Sequence, residues 1–320
     1  MMKVIVTGSN GFVGGYLASE LVRNGHEVLE VDLAAAARPD RTGSVPGCSY
    51  RQCDLTDKRS VQSLISEESP GGIIHLAAQS SAARSFDDPA GTYRANLMGA
   101  LNLLESDRNA KTKARILITG SCDEYGVRCP EEMPLGEDSP IEPISPYASS
   151  KAAQNLLAMQ YFRAFGTRVV LTRSFSHTGA GQSEKFVLPA FARQCAAITS
   201  GTVEPVVKTG NTNIVRDFLD VRDVVRAYGL LLEKGIEGRV YNVCSGDGLA
   251  LEEALDSLIA MTGGDVRKEV DPTHVRQVDV PVLTGDNHRL AKDTGWEPQI
   301  GRERMLRELF DWWLSKSVTE

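Results

Sequence analysis

The chain has 320 residues, 42% of them hydrophobic, which is enough for one large core and a smaller second one. Its net charge of −7 argues against a nucleic-acid partner, because binding to the phosphate backbone requires clustered Lys and Arg. Without an apolar run near the roughly 20 residues of a membrane span, and with a strand-like start in place of a signal peptide, we expect a cytoplasmic protein with no membrane partner.

In chain order, short apolar runs alternate with stretches of helix length. The runs lie at 4–6, 28–31, 73–76, 116–118 and 169–171, and a helix is predicted from about 146 to 165. This rhythm predicts βα units with right-handed crossovers, and hence an α/β fold with a Rossmann-type, doubly wound parallel sheet.

After residue 174 the alternation breaks down, which predicts a smaller mixed α/β lobe. A helix near 221–233 and a strand near 239–243 are regular enough to rejoin the sheet. The predicted larger domain is therefore 1–173 plus about 215–246, and the lobe is 174–214 and 247–320. Six scattered cysteines without zinc-type spacing predict free thiols, buried or half-buried, and no metal site.

Three glycines, Gly8, Gly11 and Gly14, stand between the first strand and a helix-compatible stretch. They permit a tight turn, from which a helix N-terminus can bind a pyrophosphate. Asp32 closes the second strand, where a carboxylate can accept from a ribose diol and favours NAD(H) over NADP(H). Arg38 could reach a 2′-phosphate and keeps NADP(H) as an alternative. An ordinary glycine turn with a solvated aspartate is the weaker interpretation.

Tyr147 and Lys151 lie four residues apart at the start of the predicted helix 146–165, so they share a helix face. A nearby ammonium, together with the positive nicotinamide of an oxidised cofactor, favours phenolate, and we expect the two to lower the tyrosine pKa from its usual value of about 10. Ser121 follows the strand at 116–118, whose carboxyl end should deliver a hydroxyl to the same cleft. Its alternative is a helix cap or turn residue.

The glycine spacing GxxGxxG, followed by YxxxK, resembles the extended short-chain dehydrogenase/reductase family, NAD-dependent epimerase/dehydratase group, over nearly the whole chain. Segments 173–182, 215–225 and 275–281 are most similar to those of GDP-4-keto-6-deoxy-D-mannose reductases and then of GDP-mannose 4,6-dehydratases. The pattern departs at Ser176, where asparagine is expected, and at Ala180, where proline is usual. The resemblance implies an NAD(P)-dependent enzyme, a nucleotide-diphosphate sugar as partner, GDP-linked favoured, and a homodimer packed through helices near 89–106 and 146–165.

The resemblance also places the cofactor along the glycine turn, the ends of the following strands and the YxxxK pair. The residues are Gly8, Asn10, Gly11, Phe12, Val13, Gly14, Asp32, Leu33, Asp54, Leu55, Leu76, Ala77, Ala78, Gln79, Asn96, Tyr147 and Lys151. Taken singly, Asp54 and Asn96 could be helix caps, and His75 a core histidine.

For the chemistry, the resemblance implies that Ser121 orients a carbonyl, Tyr147 transfers the proton, and Lys151 tunes the tyrosine and binds the nicotinamide ribose. Asp123 stands where dehydratases carry the glutamate that removes the sugar C5 proton. Aspartate is one methylene shorter, so it could instead bind substrate or be a solvated turn residue. For the neighbouring Glu124 the solvated turn is the favoured interpretation.

The substrate is expected on the second lobe and at the sheet edge. The residues implied are Ser80, Ser121, Ser176, Val187, Arg216, Arg276 and Asp279. Two arginines converging on one diphosphate make chemical sense, because guanidinium groups bind phosphate oxygens in charge-assisted pairs. Alone, each arginine would be a surface charge.

The leading hypothesis is reduction of the C4 ketone of GDP-4-keto-6-deoxy-D-mannose to GDP-D-rhamnose. The alternative is a GDP-mannose 4,6-dehydratase, or another nucleotide-sugar 4-epimerase or dehydratase, with tightly bound NAD. A catalytically idle NAD-binding regulator is a third hypothesis, which the intact Ser121, Tyr147 and Lys151 disfavour.

Overall fold

The computed structural model describes residues 1–36, 47–274 and 280–317. Its first half alternates strands and helices: β1 (Lys3–Thr7), α1 (Phe12–Arg23), β2 (Glu27–Asp32), β3 (Ser49–Gln52), α2 (Lys58–Glu68), β4 (Gly72–His75), α3 (Ala82–Asp87), α4 (Pro89–Tyr93), α5 (Gly99–Ala110), β5 (Arg115–Ser121), α6 (Pro146–Phe165) and β6 (Val169–Ser174). A π-helical turn, Arg94–Met98, joins α4 to α5, and a 3-10 turn, Cys122–Tyr125, follows β5.

The second half has shorter and more mixed elements: β7 (Ser176–Thr178), α7 (Val187–Thr199), β8 (Val206–Thr209), β9 (Val215–Asp220), α8 (Val221–Lys234), β10 (Val240–Val243), β11 (Gly248–Ala250), α9 (Leu251–Thr262), β12 (Arg267–Val270), β13 (Val282–Leu283), α10 (His288–Thr294) and α11 (Arg302–Ser317). Within the described ranges, no helix has both the length and the apolarity needed to cross a bilayer.

Seven parallel strands form the main sheet, in the spatial order β10-β6-β5-β4-β1-β2-β3. The order reverses between β1 and β4, where Thr7 pairs with His75. Ligands of such sheets bind outside the carboxyl ends of the strands at this reversal. The predicted doubly wound sheet is confirmed, and so is the strand near 239–243, which joins the sheet as β10 beside β6.

Both faces of the main sheet are covered. On β1, Val4 and Val6 pack with α1 and α8, whereas Ile5 points the other way, toward α2, α5 and α6. All three side chains are fully buried. Burial on both faces explains why the sheet strands are continuous apolar runs in the sequence.

Helix α6 begins and ends where local sequence dictates. The Ser145 Oγ accepts a 3.1 Å hydrogen bond from the Ala148 N–H, and Pro146 occupies the first helical position. Gly166 ends the helix with a φ of +68°, a left-handed conformation that favours glycine. The helix therefore spans Pro146–Phe165, as predicted, and its first turn brings Tyr147 to the end of β5.

The second lobe is built around β9, which pairs in parallel with β7 and β13 and antiparallel with β11. Helices α7, α9 and α11 enclose a third apolar core there, with Phe191, Leu255 and Leu309 buried. The predicted division assigns residues 215–220 to the larger domain, but they form β9 of this smaller, four-stranded sheet. Strand β10 lies in the main sheet, and α8 packs against that sheet. The domain division stays a prediction.

The cysteines are free thiols. Five are buried or half-buried, as expected, but Cys129 is exposed. It lies just before a short 3-10 turn at the surface, Pro130–Glu132, so the expectation of burial is wrong for this residue.

Candidate active site

The turn between β1 and α1 has space for hydrogen alone at two of its glycines. Gly8 has a φ of +70°, and a Cβ there would lie 2.7 Å from the backbone of Ala77. A Cβ at Gly14 would lie 2.3 Å from the carbonyl oxygen of Ser9. Gly11 stands at the N-cap of α1. The first-turn N–H groups of this helix can therefore serve a pyrophosphate.

Asp32 lies at the end of β2, where backbone N–H groups orient its carboxylate. Its Oδ2 accepts from the Asn10 N–H at 3.0 Å, and its Oδ1 from the Ala34 N–H at 3.3 Å. The Asn10 side chain donates to the Ala36 carbonyl oxygen at 3.0 Å, so the segment after β2 folds back over the glycine turn. Carboxylate oxygens have further lone pairs for a ribose hydroxyl. Arg38 lies outside the described residues.

Asn96 is fully buried in the π-helical turn, so its alternative interpretation as a helix cap is wrong. Its Oδ1 accepts from the Gln79 N–H at 2.7 Å, and its Nδ2 donates to the Gln79 carbonyl oxygen at 3.2 Å and to the Ser150 Oγ at 2.8 Å. The amide thereby ties the loop after β4 to α6. Such π-helical turns are frequent at functional sites.

His75, at the end of β4, is a core histidine, which is the alternative interpretation given for it from the sequence. It is fully buried, and its Nδ1 lies 2.8 Å from the Thr7 Oγ1. Burial, together with the nearby charge of Lys151, lowers its pKa to about 3. The imidazole is therefore neutral in the folded protein at ordinary pH.

The remaining predicted cofactor residues lie along the same edge of the main sheet. Leu33 is 64% exposed, and Asp54 is exposed while its Oδ1 accepts from the N–H and hydroxyl of Thr56, both at 2.8 Å. Leu55 is buried, and the half-buried residues are Phe12, Val13, Leu76, Ala77, Ala78 and Gln79. The glycine turn and the Asp32 carboxylate fit a dinucleotide. The absence of a side chain at Gly8 and Gly14 lets the turn stay tight, as close approach of the backbone to a pyrophosphate requires.

Ser121 and Tyr147 meet at the carboxyl end of β5. Ser121 is buried, and its hydroxyl lies close enough to the phenol of Tyr147 to favour the ionised form of that phenol. The same Oγ accepts from the Asp123 N–H at 3.2 Å and caps the 3-10 turn. The cap and the proposed functional contact therefore coexist in one residue.

Lys151 lies one helical turn after Tyr147 and is buried. Its Nζ donates to the Thr119 carbonyl oxygen at 2.7 Å and to the Gln154 Oε1 at 3.1 Å. Burial lowers the pKa of Lys151 to about 8, and the charge of Glu124 partly opposes that change. The Lys151 ammonium is thus hydrogen-bonded to β5, the strand that carries Ser121.

The expected lowering of the tyrosine pKa is not produced by Lys151 alone. The pKa of Tyr147 is raised by burial first and by the charge of Asp123 second, and the nearby Ser121 hydroxyl opposes the rise only in part. Burial disfavours the charged phenolate, and this cost is not visible in the sequence. Tyr147 is therefore a protonated phenol near neutral pH.

Asp123 and Glu124 differ sharply in environment. Asp123 is half-buried, and its charge acts on Tyr147. Glu124 is fully buried, so the favoured interpretation of a solvated turn residue is wrong. Its carboxylate bonds to Ser121, Asn155 and Arg173, and the last two are distant in sequence. A turn pattern by itself carries no signal for such partners.

The predicted substrate residues lie on both lobes. Ser80 is exposed in the loop after β4, Ser176 is half-buried in β7, and Val187 begins α7. Arg216 on β9 is half-buried, and its charge opposes the rise that burial causes in the pKa of Cys122, the neighbour of Ser121. Arg216 thus lies near the end of β5. Arg276 and Asp279 lie outside the described residues.

Asp217, next to Arg216, is a structural anchor that the sequence analysis did not single out. It is buried, and its carboxylate accepts from the Ser245 N–H at 2.7 Å, the Gly246 N–H at 3.0 Å and the Gly285 N–H at 3.3 Å. These bonds join the turn after β10 and the turn after β13 to β9. The only indication of this anchoring role in the sequence is that Asp217 directly follows Arg216, a candidate ligand of the diphosphate.

Comparison with known proteins adds to this geometry. The model of the family described as GDP-mannose 4,6 dehydratase matches residues 5–309. The chain is 35% identical to GDP-6-deoxy-D-mannose reductase of Pseudomonas aeruginosa over 98% of both chains. It also resembles two solved structures: RMD from P. aeruginosa complexed with NADPH (TM-score 0.85, 33% identity, covering 99% and 100%) and the UDP-glucose 4-epimerase of Thermotoga maritima with UDP-glucose (TM-score 0.88, 26% identity, covering 100% of both).

Proposed function

From the premise that this chain belongs to the GDP-mannose 4,6-dehydratase family of short-chain dehydrogenase/reductase enzymes, we propose that it reduces the C4 ketone of GDP-4-keto-6-deoxy-D-mannose to GDP-D-rhamnose. The proposal uses a nicotinamide cofactor at the glycine turn and a GDP-linked sugar between the two lobes. The reductase of P. aeruginosa supports this choice within the family.

One observation carries the proposal: a protonated tyrosine lies beside a buried serine at the carboxyl end of β5. A phenol that carries its proton can donate it to the carbonyl oxygen, because the alkoxide formed on reduction is the stronger base. Intact Ser121, Tyr147 and Lys151 also argue against a catalytically idle regulator.

In the proposed mechanism, the Ser121 hydroxyl donates a hydrogen bond to the ketone oxygen and orients it beside Tyr147. When bound, a reduced nicotinamide supplies the hydride that the ketone carbon accepts. The Tyr147 O–H gives its proton to the oxygen as negative charge develops, and the phenolate regains a proton from solvent. Lys151 holds α6 against β5 and offers positive charge near the phenolate.

Arg216 is assigned to the diphosphate of the substrate. Its position near Cys122 puts a guanidinium within the neighbourhood of Ser121, and guanidinium groups bind phosphate oxygens in charge-assisted geometry. Ser80, Ser176 and Val187 are proposed to line the sugar and nucleotide path. Arg276 and Asp279 complete the set as predictions from the sequence.

The test is to incubate the purified protein separately with GDP-mannose and with its 4-keto-6-deoxy derivative. Cofactor absorbance and product NMR are followed in parallel. We expect reduced cofactor to be consumed with the keto sugar alone and GDP-D-rhamnose to form. No consumption with the keto sugar would overturn the proposal.

A second candidate, a GDP-mannose 4,6-dehydratase or a nucleotide-sugar 4-epimerase, is favoured by one feature. Asp123 is a carboxylate whose charge reaches Tyr147, where a dehydratase needs a base for the C5 proton. Conversion of GDP-mannose by protein that retains NAD, without net consumption of cofactor, would select this candidate.

For the cofactor, NAD(H) is favoured by Asp32, and NADP(H) is the alternative that the NADPH complex of the P. aeruginosa relative supports. A 2′-phosphate would be repelled by the Asp32 carboxylate, which the Asn10 N–H holds in place at the end of β2. Fluorescence titration with NADH and NADPH tests this choice directly. We expect tighter binding of NADH.

We also propose a homodimer packed through α4, α5 and α6. This surface exposes apolar side chains, with Leu156 at 65%, Phe165 at 51% and Met98 at 40%. A Leu156→Arg substitution should convert the dimer to a monomer, as measured by light scattering. A wild-type protein that is monomeric at all concentrations would refute the proposal.

A further inference from the structure

Glu124 is a fully buried carboxylate directly behind the Ser121 turn. Its Oε1 accepts from the Ser121 N–H at 3.0 Å, and the Asn155 Nδ2 donates to both oxygens at 2.9 and 3.0 Å. The Nε of Arg173 lies 3.2 Å from Oε2. These three partners are donors, which is the set that an ionised carboxylate requires.

The backbone of β5 is shaped to admit this carboxylate. A Cβ on Gly120 would lie 2.4 Å from the Glu124 Oε1 and 2.5 Å from the Asn155 Nδ2. Glycine at this position lets the carboxylate approach the strand from behind, between Thr119 and Ser121. A capping box that served only to close a surface turn would not need this space.

Arg173, the other half of the ion pair, is also buried and extends the network. Its Nη1 donates to the Tyr125 hydroxyl at 3.1 Å and to the Glu137 carbonyl oxygen at 2.8 Å. The Tyr125 hydroxyl donates in turn to the Asn242 Oδ1 at 2.7 Å. The carboxylate is thereby held by β6 and, through Tyr125, by β10.

The same carboxylate is the negative charge that acts on Lys151. The electrostatic partners of this ammonium include His75 from β4 and Glu124 from the turn after β5, and Tyr147 lies one helical turn earlier on α6. His75 is neutral, and Tyr147 is protonated. Burial raises the pKa of Glu124, while its bonds to Ser121, Arg173 and Asn155 oppose that rise and favour the ionised form. In that form Glu124 offsets part of the cost of burying Lys151.

We infer that Glu124 is a positioning residue for the reduction: its carboxylate orients Ser121 through the backbone N–H and keeps the Lys151 side chain charged. This inference rests on the proposed function for its kinetic consequence. Its electrostatic consequence does not depend on the substrate.

Two substitutions separate the effect of the Glu124 charge from the effect of the length of its side chain. Glu124→Gln keeps the length of the side chain and removes its charge, whereas Glu124→Asp keeps the charge and shortens the side chain. Glu142→Gln is the matched control, because this glutamate follows on the same segment with a side chain 63% exposed.

The first readout is the titration of Lys151 in protein labelled with ¹³C at lysine Cε, with the signal assigned by its loss in Lys151→Met. In Glu124→Gln the pKa of Lys151 should fall by about half a unit or more, since an attractive charge is lost. Glu124→Asp and Glu142→Gln should leave the titration close to wild type. An unchanged titration in Glu124→Gln would overturn the electrostatic part.

The second readout is kinetic, with the keto sugar as substrate. Both Glu124 variants should lower kcat about 10-fold or more while KM for the cofactor changes little, because Ser121 loses its orientation. Should Glu124→Gln fail to fold, Glu124→Asp decides the positional part. A purely structural role would instead change melting temperature, kcat and both KM values together, and that result would refute the inference.

The two proposals fail in different ways. A wild-type protein that consumes no reduced cofactor with the keto sugar would end the proposed function, yet the NMR titration would still test the link between Glu124 and Lys151. Normal turnover in both Glu124 variants would end the inference and leave the proposed function intact.

Discussion

The ammonium of Lys151 donates a 2.7 Å hydrogen bond to the carbonyl oxygen of Thr119, two residues before Ser121 on β5. Helix α6 also carries Tyr147. This bond therefore helps to hold α6 beside β5, with the Tyr147 and Ser121 hydroxyl groups close together. A charge-assisted bond of this kind depends on the proton that the amine carries. The geometry of the site is therefore linked to the titration of Lys151.

The pH dependence of activity should report that titration. Burial lowers the pKa of Lys151 to about 8, so the ammonium is present below this pH and is lost as pH rises through it. We expect kcat/KM for the keto sugar to decline above about pH 8. In Lys151→Arg, residual activity should lack this decline because guanidinium stays protonated. A wild-type profile that stays level well above that pH would contradict the assignment.

Removal of the tyrosine hydroxyl should abolish proton donation without disturbing cofactor binding. For Tyr147→Phe we expect kcat to fall roughly 10²- to 10⁴-fold, the usual contribution of a positioned general acid. Steady-state kinetics and fluorescence titration of reduced cofactor measure the two effects separately. Retained turnover would show that another group donates the proton.

The glycine turn should not tolerate a methyl group at Gly14, where a Cβ would lie 2.3 Å from the Ser9 carbonyl oxygen. Gly14→Ala should weaken cofactor binding at least about 10-fold, because the helix start must move away from the turn. Gly264→Ala is the control, since a Cβ there has no neighbour within 4 Å among the described residues. Equal binding by the two variants would argue against a cofactor at this turn.

Arg216 should contribute to affinity for the nucleotide sugar and little to affinity for the cofactor. Arg216→Ala should raise KM for the sugar about 10-fold or more, as loss of a charge-assisted hydrogen bond predicts. Arg267→Ala, on the exposed strand β12, is the control. Equal changes in both KM values would place Arg216 outside the diphosphate site.

His75 should make the fold acid-sensitive. Its pKa in the folded protein is about 3, below the ordinary 6.5, so between these values the unfolded chain binds a proton that the folded chain does not. The free energy of unfolding should therefore fall as pH drops below 6.5, by up to about 5 kcal/mol near pH 3.

Urea unfolding at a series of pH values measures this effect. His75→Gln should flatten the acid limb of the stability curve, and His288→Gln, with a side chain 94% exposed, should leave it unchanged. An acid limb that is identical in His75→Gln and wild type would show that other groups cause it.

Much of the site was predictable because its parts are adjacent in the chain or at fixed strand ends. The turn of Gly8 and Gly14 follows a strand, Asp32 closes the next one, and Tyr147 and Lys151 share one turn of α6. Strand and helix periods place such residues by local geometry alone. The same reasoning was wrong about Glu124 and Cys129, and it did not reveal that burial raises the pKa of Tyr147, because burial is not a local property.

What the sequence by itself determined is the backbone plan: alternating strands and helices, the start and end of α6, and the family to which the chain belongs. The tertiary structure alone decided the electrostatics of the site. Arg173 and Asn155 come from other elements to meet Glu124, and packing buries Lys151 and half-buries Tyr147. The hydrogen bonds of helices and their caps follow from residues close in the chain, whereas desolvation and charge pairing depend on segments far apart in the chain.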